Sequence, residues 1–200
     1  LLLYVQDELS YDKYHPLSDR IYRVDVNAKL GEQAFVGATN AAVVGPTMKS
    51  DFPEVEGFFR FRDRGSWLIK YNENHYKESD VIFADSTLFR FFALKLTEGD
   101  PETALTEPNS IILTKEMADK YFGLESPIGK TLILDNEDNY KVTGVLEAIP
   151  KNTHFQYDFY CSMSTLEESR SPHWGSMNFN SYVVLREGTD VKAFEKKLDY

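Results

Sequence analysis

Cysteine is almost absent from this sequence: Cys161 is its single thiol in 200 residues. One thiol cannot form an internal disulfide or a cysteine-rich metal site. The nearby Phe159, Tyr160 and Met163 are apolar, so we predict that Cys161 is a small buried side chain and not a nucleophile. A long apolar run is also missing. The leading LLLYV is far shorter than the ~20 residues that span a bilayer, and it lacks the pattern of a signal peptide.

Positive charge is scarce. The sequence has 32 acidic against 22 basic residues, a net charge of -10, which speaks against non-specific binding to nucleic acid or to an anionic membrane. The densest basic run is FRFRDR, in which Arg60, Arg62 and Arg64 fall on one face of a strand. We predict a solvated strand face there; an anion site is the alternative.

Catalytic and metal-binding motifs are missing as well. The four histidines, His15, His75, His154 and His173, lack HExxH or i, i+4 spacing, and no Gly-x-Ser-x-Gly elbow occurs. The literal GKT at 129–131 leads into the strand-like TLILD, whereas a P-loop needs a helix there. The acidic DNEDN at 135–139 lacks the spacing of an EF-hand. We therefore predict no catalytic, cofactor-binding or metal-binding residue, no cofactor, and no enzyme activity.

What the sequence does have is enough apolar material for a core. Its hydrophobic content of 42% and aromatic content of 14% predict one or two small domains. The clearest local unit runs from Glu107 to Leu134. It reads as a strand from Ser110 to Leu113, a helix capped by Thr114 and stopped by Gly123, and a second strand from Lys130.

Periodicity and turn residues predict further elements along the chain. Ser86 is expected to cap a helix rich in phenylalanine that packs in the core. The predicted helices are 4–14, 40–51 (interrupted by Pro46), 87–93, 164–169 and a closing one capped by Asp190. The predicted strands are 20–28, 34–38, 55–62, 67–71, 76–84, 140–149, 155–162 and 181–186, with 55–84 as an antiparallel meander and 96–108 as a surface connection.

Three ordered motifs resemble a known family. They are SIILTKEMADKYFG, then SPIGKTL, then GVLEAIPKNTHFQYDFY. In the periplasmic core domain of MacB/FtsX-type ABC transporter permeases, a Tyr-Phe-Gly stop, a Pro-Ile-Gly-Lys turn and a Pro-x-Asn-(Ser/Thr)-His segment follow in this order. Here these are 121–123, 127–130 and 150–154. The start, YVQDELSYDKYHPLSDRIYRV, is similar to the stretch that joins the first membrane helix of that family to its first strand.

The resemblance implies an α+β fold in two subdomains. Residues 1–14 would be a juxtamembrane stalk after the first transmembrane helix. A split porter-like subdomain of βα type would comprise 15–60 and 153–200, and a mainly antiparallel sabre-like subdomain, 61–152, would be inserted in it. The ends of such a domain connect to membrane helices, so rigid elements near both ends are expected.

The function implied is that of a non-catalytic domain on the periplasmic side of the bacterial inner membrane. It would transmit movement from a cytoplasmic ABC ATPase subunit to export, as in efflux, or to a periplasmic adaptor or another periplasmic protein. Its own transmembrane helices and a second copy, as a homodimer, would complete the transporter.

Two rivals remain open at this point. One is an extracytoplasmic ligand-binding sensor module in which the aromatic strands from Phe58 to Trp67 line a site. The other is a secreted hydrolase, which needs convergent acid and base groups in a deep cleft.

Overall fold

The computed structural model describes residues 16–30, 33–92, 94–149, 153 and 155–198. Within these ranges the chain forms four α-helices, α1 (Val44–Asp51), α2 (Leu88–Phe91), α3 (Lys115–Phe122) and α4 (Val191–Leu198). Its strands are β1 (Ile21–Arg23), β2 (Val26–Leu30), β3 (Gln33–Gly37), β4 (Val55–Asp63), β5 (Trp67–Tyr71), β6 (Asn74–Glu78), β7 (Val81–Ala84), β8 (Leu96–Gly99), β9 (Ser110–Thr114), β10 (Thr131–Leu134), β11 (Asp138–Leu146), β12 (Phe159–Ser162) and β13 (Asn180–Leu185). None of the helices in the described ranges is long and apolar enough to cross a membrane.

One large mixed sheet organises the chain. Its strand order is β1-β13-β4-β7-β12-β9-β11-β10-β5-β6, and β8 pairs with β11 beside this path. The pairs β7–β12 and β9–β11 are parallel and the other pairs are antiparallel. Strands from the C-terminal part of the sequence lie between strands from earlier parts. Strand β13 separates β1 from β4, and β12 separates β7 from β9. The hairpin β2–β3 forms a second, small antiparallel sheet. This is the predicted α+β class.

Three apolar clusters pack on this sheet. The first lies under α3 and the segment 163–179 and includes Trp67, Phe83 and Tyr140. The second lies on the opposite side, under α2 and the turns around Leu105. The third joins α1 and α4 to β4 and β13 around Phe194. The phenylalanines of α2 belong to the second cluster, as predicted from the sequence.

The unit from Glu107 to Leu134 forms as predicted. Thr114 Oγ1 accepts a hydrogen bond from the Met117 amide over 3.4 Å at the start of α3, which satisfies one of the free donors of the first turn. Gly123 ends the helix with φ of 63°, a left-handed conformation that glycine adopts without a Cβ penalty. Because β10 begins at Thr131, the last residue of the GKT tripeptide, this tripeptide leads into a strand and not a helix, in agreement with the rejection of a P-loop.

Several boundaries differ from the prediction. The strand expected over 20–28 is two strands in different sheets, since β1 pairs with β13 and β2 pairs with β3. Helix α1 begins at Val44 and keeps Pro46 in its first turn, where a missing N–H costs no intrahelical bond. The expected helix over 164–169 is two short 3-10 segments, Met163–Thr165 and Glu167–Arg170. Of the strand expected over 155–162, only the second half forms a strand, which is β12.

Three other predictions were wrong. The antiparallel meander over 55–84 does not exist, since β4 pairs with β13 and β7 while β5 pairs with β6 and β10. Ser86 does not cap α2, whose N-cap residue is Thr87 and has no side-chain cap bond. The supposed surface connection over 96–108 contains β8, paired with β11, and buries Ala104 and Leu105. The predicted helix over 4–14 lies outside the described residues.

Candidate functional site

The elements at the two ends of the described chain lie next to each other in the structure. Strand β1 pairs with β13 in antiparallel register, with Ile21 opposite Val184, and helix α4 follows β13 after a short turn. Arg20 Nε donates to Leu185 O over 2.7 Å, and Arg20 also forms an ion pair with Glu56 on β4. Both ends of the described chain are therefore attached to the same pair of strands, β1 and β13.

Helix α4 is held in place by apolar and polar contacts. Asp190 Oδ1 accepts from the Ala193 amide over 3.1 Å and caps the helix as predicted. Phe194 is 4% exposed and meets Phe52 edge to face at 5.5 Å, a favoured aromatic geometry. Lys197 forms an ion pair with Glu54, and the hydrogen bond from Lys197 holds the pKa of that carboxyl below its usual value.

A fully buried asparagine ties these end elements together. Asn40 precedes α1 and has no exposed surface. Its Nδ2 donates to Val24 O over 2.8 Å, and its Oδ1 accepts from Ser181 Oγ over 2.6 Å. The Asn40 backbone exchanges two further hydrogen bonds with Phe179, of 2.7 and 3.0 Å. One carboxamide therefore links the segment after β1, the start of β13 and the approach to α1, with its side-chain amide and carbonyl both satisfied.

A buried arginine forms a second junction. Arg60 Nε and Nη2 donate to Asp85 Oδ2 and Oδ1 over 2.8 and 2.9 Å, a bidentate pair. Arg60 Nη1 donates to Ala42 O over 2.7 Å and to Ser169 O over 2.8 Å. The guanidinium therefore links β4 to the end of β7, the approach to α1 and the second 3-10 segment.

This burial corrects the prediction for the basic run. The Arg60 residue is 7% exposed and not solvated, and neither is it an anion site, because its own chain supplies all its acceptors. Arg62 is partly buried and pairs with Glu168 over 3.1 Å. Arg64 alone is exposed as predicted, 5.5 Å from the Trp67 ring centroid. The alternation of faces was right, but it cannot tell which face a neighbouring segment covers.

The remaining candidate residues do not assemble into a chemical site. His75 and His173 are exposed, and His15 and His154 lie outside the described residues. Cys161 is fully buried, as predicted, and burial raises the pKa of its thiol. Among the described residues no group of three or more His, Cys, Asp or Glu side chains could hold a metal ion. Within DNEDN, Asp135 accepts from the Leu68 amide over 2.9 Å.

One open cleft of about 420 Å³ lies at the start of α3. Its lining includes Asp80, Glu116, Glu147 and Asp158 with one cation, Lys115. Thr114 Oγ1 donates to Asp158 Oδ1 over 3.2 Å, while burial raises the pKa of the Asp158 carboxyl, helped by the charges of Asp80, Glu116 and Glu78. The charged residues of this lining are four carboxylates and one lysine, and the described lining residues include no paired nucleophile and base.

The aromatic strands do not line a ligand site in the described structure. Phe59, Phe61 and Trp67 are buried in the two clusters on opposite sides of the sheet. Phe59 stacks on Tyr182 at 5.1 Å, and Phe61 stacks on Phe155 at 5.0 Å. These rings form core, and the sensor hypothesis loses the feature on which it depended.

One protein-family model matches almost the whole chain. The model of the MacB-like periplasmic core domain matches residues 1–199. This chain belongs to the MacB-like periplasmic core domain family. It is the periplasmic domain of a MacB-like ABC transporter permease. No curated protein matches the chain.

Solved structures show the MacB-like fold independently. A domain described as part of a permease protein from Porphyromonas gingivalis superposes with a TM-score of 0.79 and 22% identity, over 92% of this chain and 80% of that one. The extracellular domain of the noncanonic ABC-type transporter YknZ from Gram-positive bacteria gives 0.62 and 18%, over 87% and 86%. The periplasmic region of MacB from Actinobacillus actinomycetemcomitans gives 0.61 and 16%, over 80% and 72%.

Sequence reasoning missed the two junction residues, Asn40 and Arg60. Asn40 precedes a run of small apolar residues and looks like an ordinary helix start. Arg60 sits among alternating phenylalanines, where a charge is normally solvated. The one sequence signal for a buried cation was Asp85. This carboxylate directly follows the apolar VIFA, so it could have suggested an ion-pair partner in the core.

Proposed function

We propose that this chain is a non-catalytic coupling domain that transmits movement, driven by a cytoplasmic ABC ATPase, to export or to a periplasmic partner. The observation that carries the proposal is the direct hydrogen bonding of β1 to β13 next to α4. Force arriving at both ends then acts on one rigid pair of strands, continuous with the large sheet.

The proposal extends to location and assembly. The domain would face the periplasm from the bacterial inner membrane, its own transmembrane helices would connect to both ends, and two copies would form the transporter. Transported substrate and periplasmic adaptor would engage the assembled permease without chemistry in this domain, and no cofactor is needed.

We retain the two-subdomain division, with 15–60 and 153–200 against 61–152, as part of the proposal. The third apolar cluster supports it, since Met48, Val55, Leu185 and Phe194 all come from the two split segments. The cluster forms a small core of its own beside α1 and α4, where a porter-like unit would receive movement from the membrane.

The test uses the full-length parent in detergent and then in proteoliposomes. An ATPase subunit should copurify with it. A spin label on Glu73→Cys, in an exposed turn, should report an ATP-dependent change in the distance between the labels of two copies. A flexible Gly-Ser-Gly-Ser insertion beside Gly188, in the turn between β13 and α4, should abolish that change while ATP hydrolysis continues.

The same insertion beside Asn136, in the exposed turn between β10 and β11, is the matched control and should leave the change intact. Failure of an ATPase to copurify would contradict the proposal, and so would a label distance that ignores ATP or is unaffected by the Gly188 insertion.

A further inference from the structure

A small pocket lies against the buried pair of Arg60 and Asp85. Its volume is about 200 Å³, which is below the roughly 300–1,000 Å³ of sites for drug-sized ligands. Besides Arg60 on β4, its lining comes from four stretches that are far apart in sequence, 85–86, 105–106, 163–164 and 169–170. The pocket can therefore hold a small molecule, or one terminal group of a larger molecule.

The charges of this lining favour an anion. The lining contains the guanidinium groups of Arg60 and Arg170 and one carboxylate, that of Asp85. Because Arg60 holds both oxygens of Asp85 in a bidentate pair, the charge of Arg170 is left uncompensated within the lining. The cleft at the start of α3 is the opposite case, with four carboxylates around one lysine. The Arg170 pocket is thus positive on a chain of net charge -10.

The acidic residues next to this lining in the sequence do not cancel its charge. Glu107 and Glu167 are exposed, and neither belongs to the lining. Glu168 pairs with Arg62 over 3.1 Å. The positive charge of the pocket is therefore available to a ligand.

Arg170 differs from most arginines of this chain in its contacts. Four described arginines pair with a carboxylate, namely Arg20, Arg23, Arg60 and Arg62. Arg64 and Arg90 lie over aromatic rings. Arg170 forms no ion pair with any residue that the structure describes, and its Nη1 donates to Ser164 O over 2.7 Å. Its Nε–H and Nη2–H groups remain for a ligand, and two such donors match the two oxygens of a carboxylate.

The other lining residues suit a carboxylate that carries a short apolar group. The Ser86 hydroxyl forms no hydrogen bond with any residue that the structure describes, so its proton is available to a bound oxygen. Leu105 and Met163, each 2% exposed, supply apolar wall. The single uncompensated positive charge matches a carboxylate better than a phosphate group, which carries about -1.5 to -2.

We propose that this pocket binds a carboxylate group with a short apolar substituent. Arg170 donates to the carboxylate, the Ser86 hydroxyl supplies a further hydrogen bond, and the apolar substituent lies against Leu105 and Met163. Arg60 and Asp85 keep their bonds to each other and form the wall. The carboxylate belongs to a free small acid or to the C-terminal residue of a peptide, and the test separates these two sources.

The probes are isovalerate and N-acetyl-leucine, which share a carboxylate and an isobutyl group. Each is titrated into the 15N-labelled 200-residue chain at low salt and about pH 7, and amide chemical shifts are followed by NMR. Saturable binding in the millimolar range is expected, with shifts at Ser86, Ser164 and Arg170. N-acetyl-leucinamide has the same shape without the charge and should not bind. Inorganic phosphate should bind more weakly than either acid. Tighter binding of N-acetyl-leucine identifies a peptide C-terminus as the source, and equal or tighter binding of isovalerate identifies a free acid.

Variants of the lining test which residues bind the carboxylate. Arg170→Gln should weaken binding about tenfold, and Arg170→Lys should lose less, because it keeps the charge without the planar fork. Ser86→Ala should weaken binding about threefold, and it leaves the bond from Arg170 to Ser164 in place. Arg186→Gln is the matched control. Arg186 is also exposed and also donates to one backbone carbonyl, Pro53 O, over 2.8 Å, so its loss should leave binding unchanged.

Several results would overturn the inference. They are the absence of saturable shifts at the pocket with both acids, binding of the amide as tight as that of N-acetyl-leucine, tighter binding of phosphate, or equal losses in Arg170→Gln and Arg186→Gln. The proposal goes beyond the coupling function and is tested on this chain without an ATPase. Any of these results therefore leaves the coupling proposal intact.

Discussion

The Ser181 hydroxyl donates to the carboxamide oxygen of Asn40 over 2.6 Å, and neither residue has any exposed surface. The two residues are 141 positions apart, so this bond joins the first and last parts of the chain. Together with Asn40 Nδ2, it fixes the spacing of β1, β13 and the approach to α1. A polar node of this kind holds elements in one arrangement, as the proposed coupling function requires.

Replacing Asn40 with alanine should therefore destabilise the domain by about 1–3 kcal/mol. The change leaves Val24 O and the Ser181 hydroxyl without their partner in a buried position. Urea unfolding followed by tryptophan fluorescence measures the loss. Asn139→Ala, at an exposed strand position, is the control and should shift stability by less than about 0.5 kcal/mol. Equal losses in the two variants would refute the role given to Asn40.

The Arg60–Asp85 pair should be more costly to break. Arg60→Met leaves the Asp85 carboxylate, whose side chain is 15% exposed, without its cation, and losses of about 3–5 kcal/mol are typical of such changes. The Ala42 and Ser169 carbonyls lose their donor as well. Asp85→Asn should cost less, since its carbonyl oxygen still accepts one bond.

Chemical denaturation of both variants gives the comparison. Arg64→Met serves as the control, because Arg64 is exposed and its guanidinium lies over the Trp67 ring. This change should cost about 1 kcal/mol or less. A cost of Arg60→Met no larger than this would show that the guanidinium does not link the elements it touches.

The sequence predicted local units well where each residue obeys short-range rules. The strand, Thr114 cap, helix and Gly123 stop of 110–123 depend on neighbours within a few residues, and all of them form. Asp190 likewise caps α4. These features need no knowledge of the remainder of the chain.

Strand order could not be predicted in the same way. The insertion of β13 between β1 and β4 depends on pairing across more than a hundred residues, and alternation alone gives no partner. The burial of Arg60 follows from this order, because Ser169 and Ala42 reach it only once α1 and the 3-10 segment cover that face. The absence of a metal or catalytic motif, by contrast, was readable from residue spacing, and the inference that this domain has no catalytic, cofactor-binding or metal-binding residue stays a prediction.

Stability should depend on pH through Asp158. Burial raises the pKa of its carboxyl, so the folded state holds this proton more tightly than the unfolded chain, whose aspartates titrate at about 3.9. This contribution is therefore favourable at low pH and is lost as pH rises from about 3.9 through the folded pKa.

Asp158→Asn removes the charge but keeps an oxygen for the Thr114 hydroxyl. The variant should be more stable than the parent chain at pH 7, with the difference shrinking toward pH 4, as measured by denaturation midpoints at both values. Glu137→Gln, in an exposed turn, should show no such trend. A variant less stable than the parent at pH 7 would contradict the assignment.

Gly57 on β4 should not tolerate a side chain while Phe91 occupies its present position. A Cβ at residue 57 would lie 2.2 Å from Phe91 Cζ, and Phe91 is 4% exposed and cannot swing into solvent without losing its packing. Gly57→Ala should therefore destabilise by about 1–3 kcal/mol, the range for overpacked cores. Because leucine lacks the Cζ atom, Phe91→Leu should recover part of this loss, so that the double variant is more stable than the sum of the single changes predicts. Gly175→Ala, where a Cβ meets nothing within 4 Å, should be neutral, and strict additivity of Gly57→Ala with Phe91→Leu would show that the strand moves away from the ring instead.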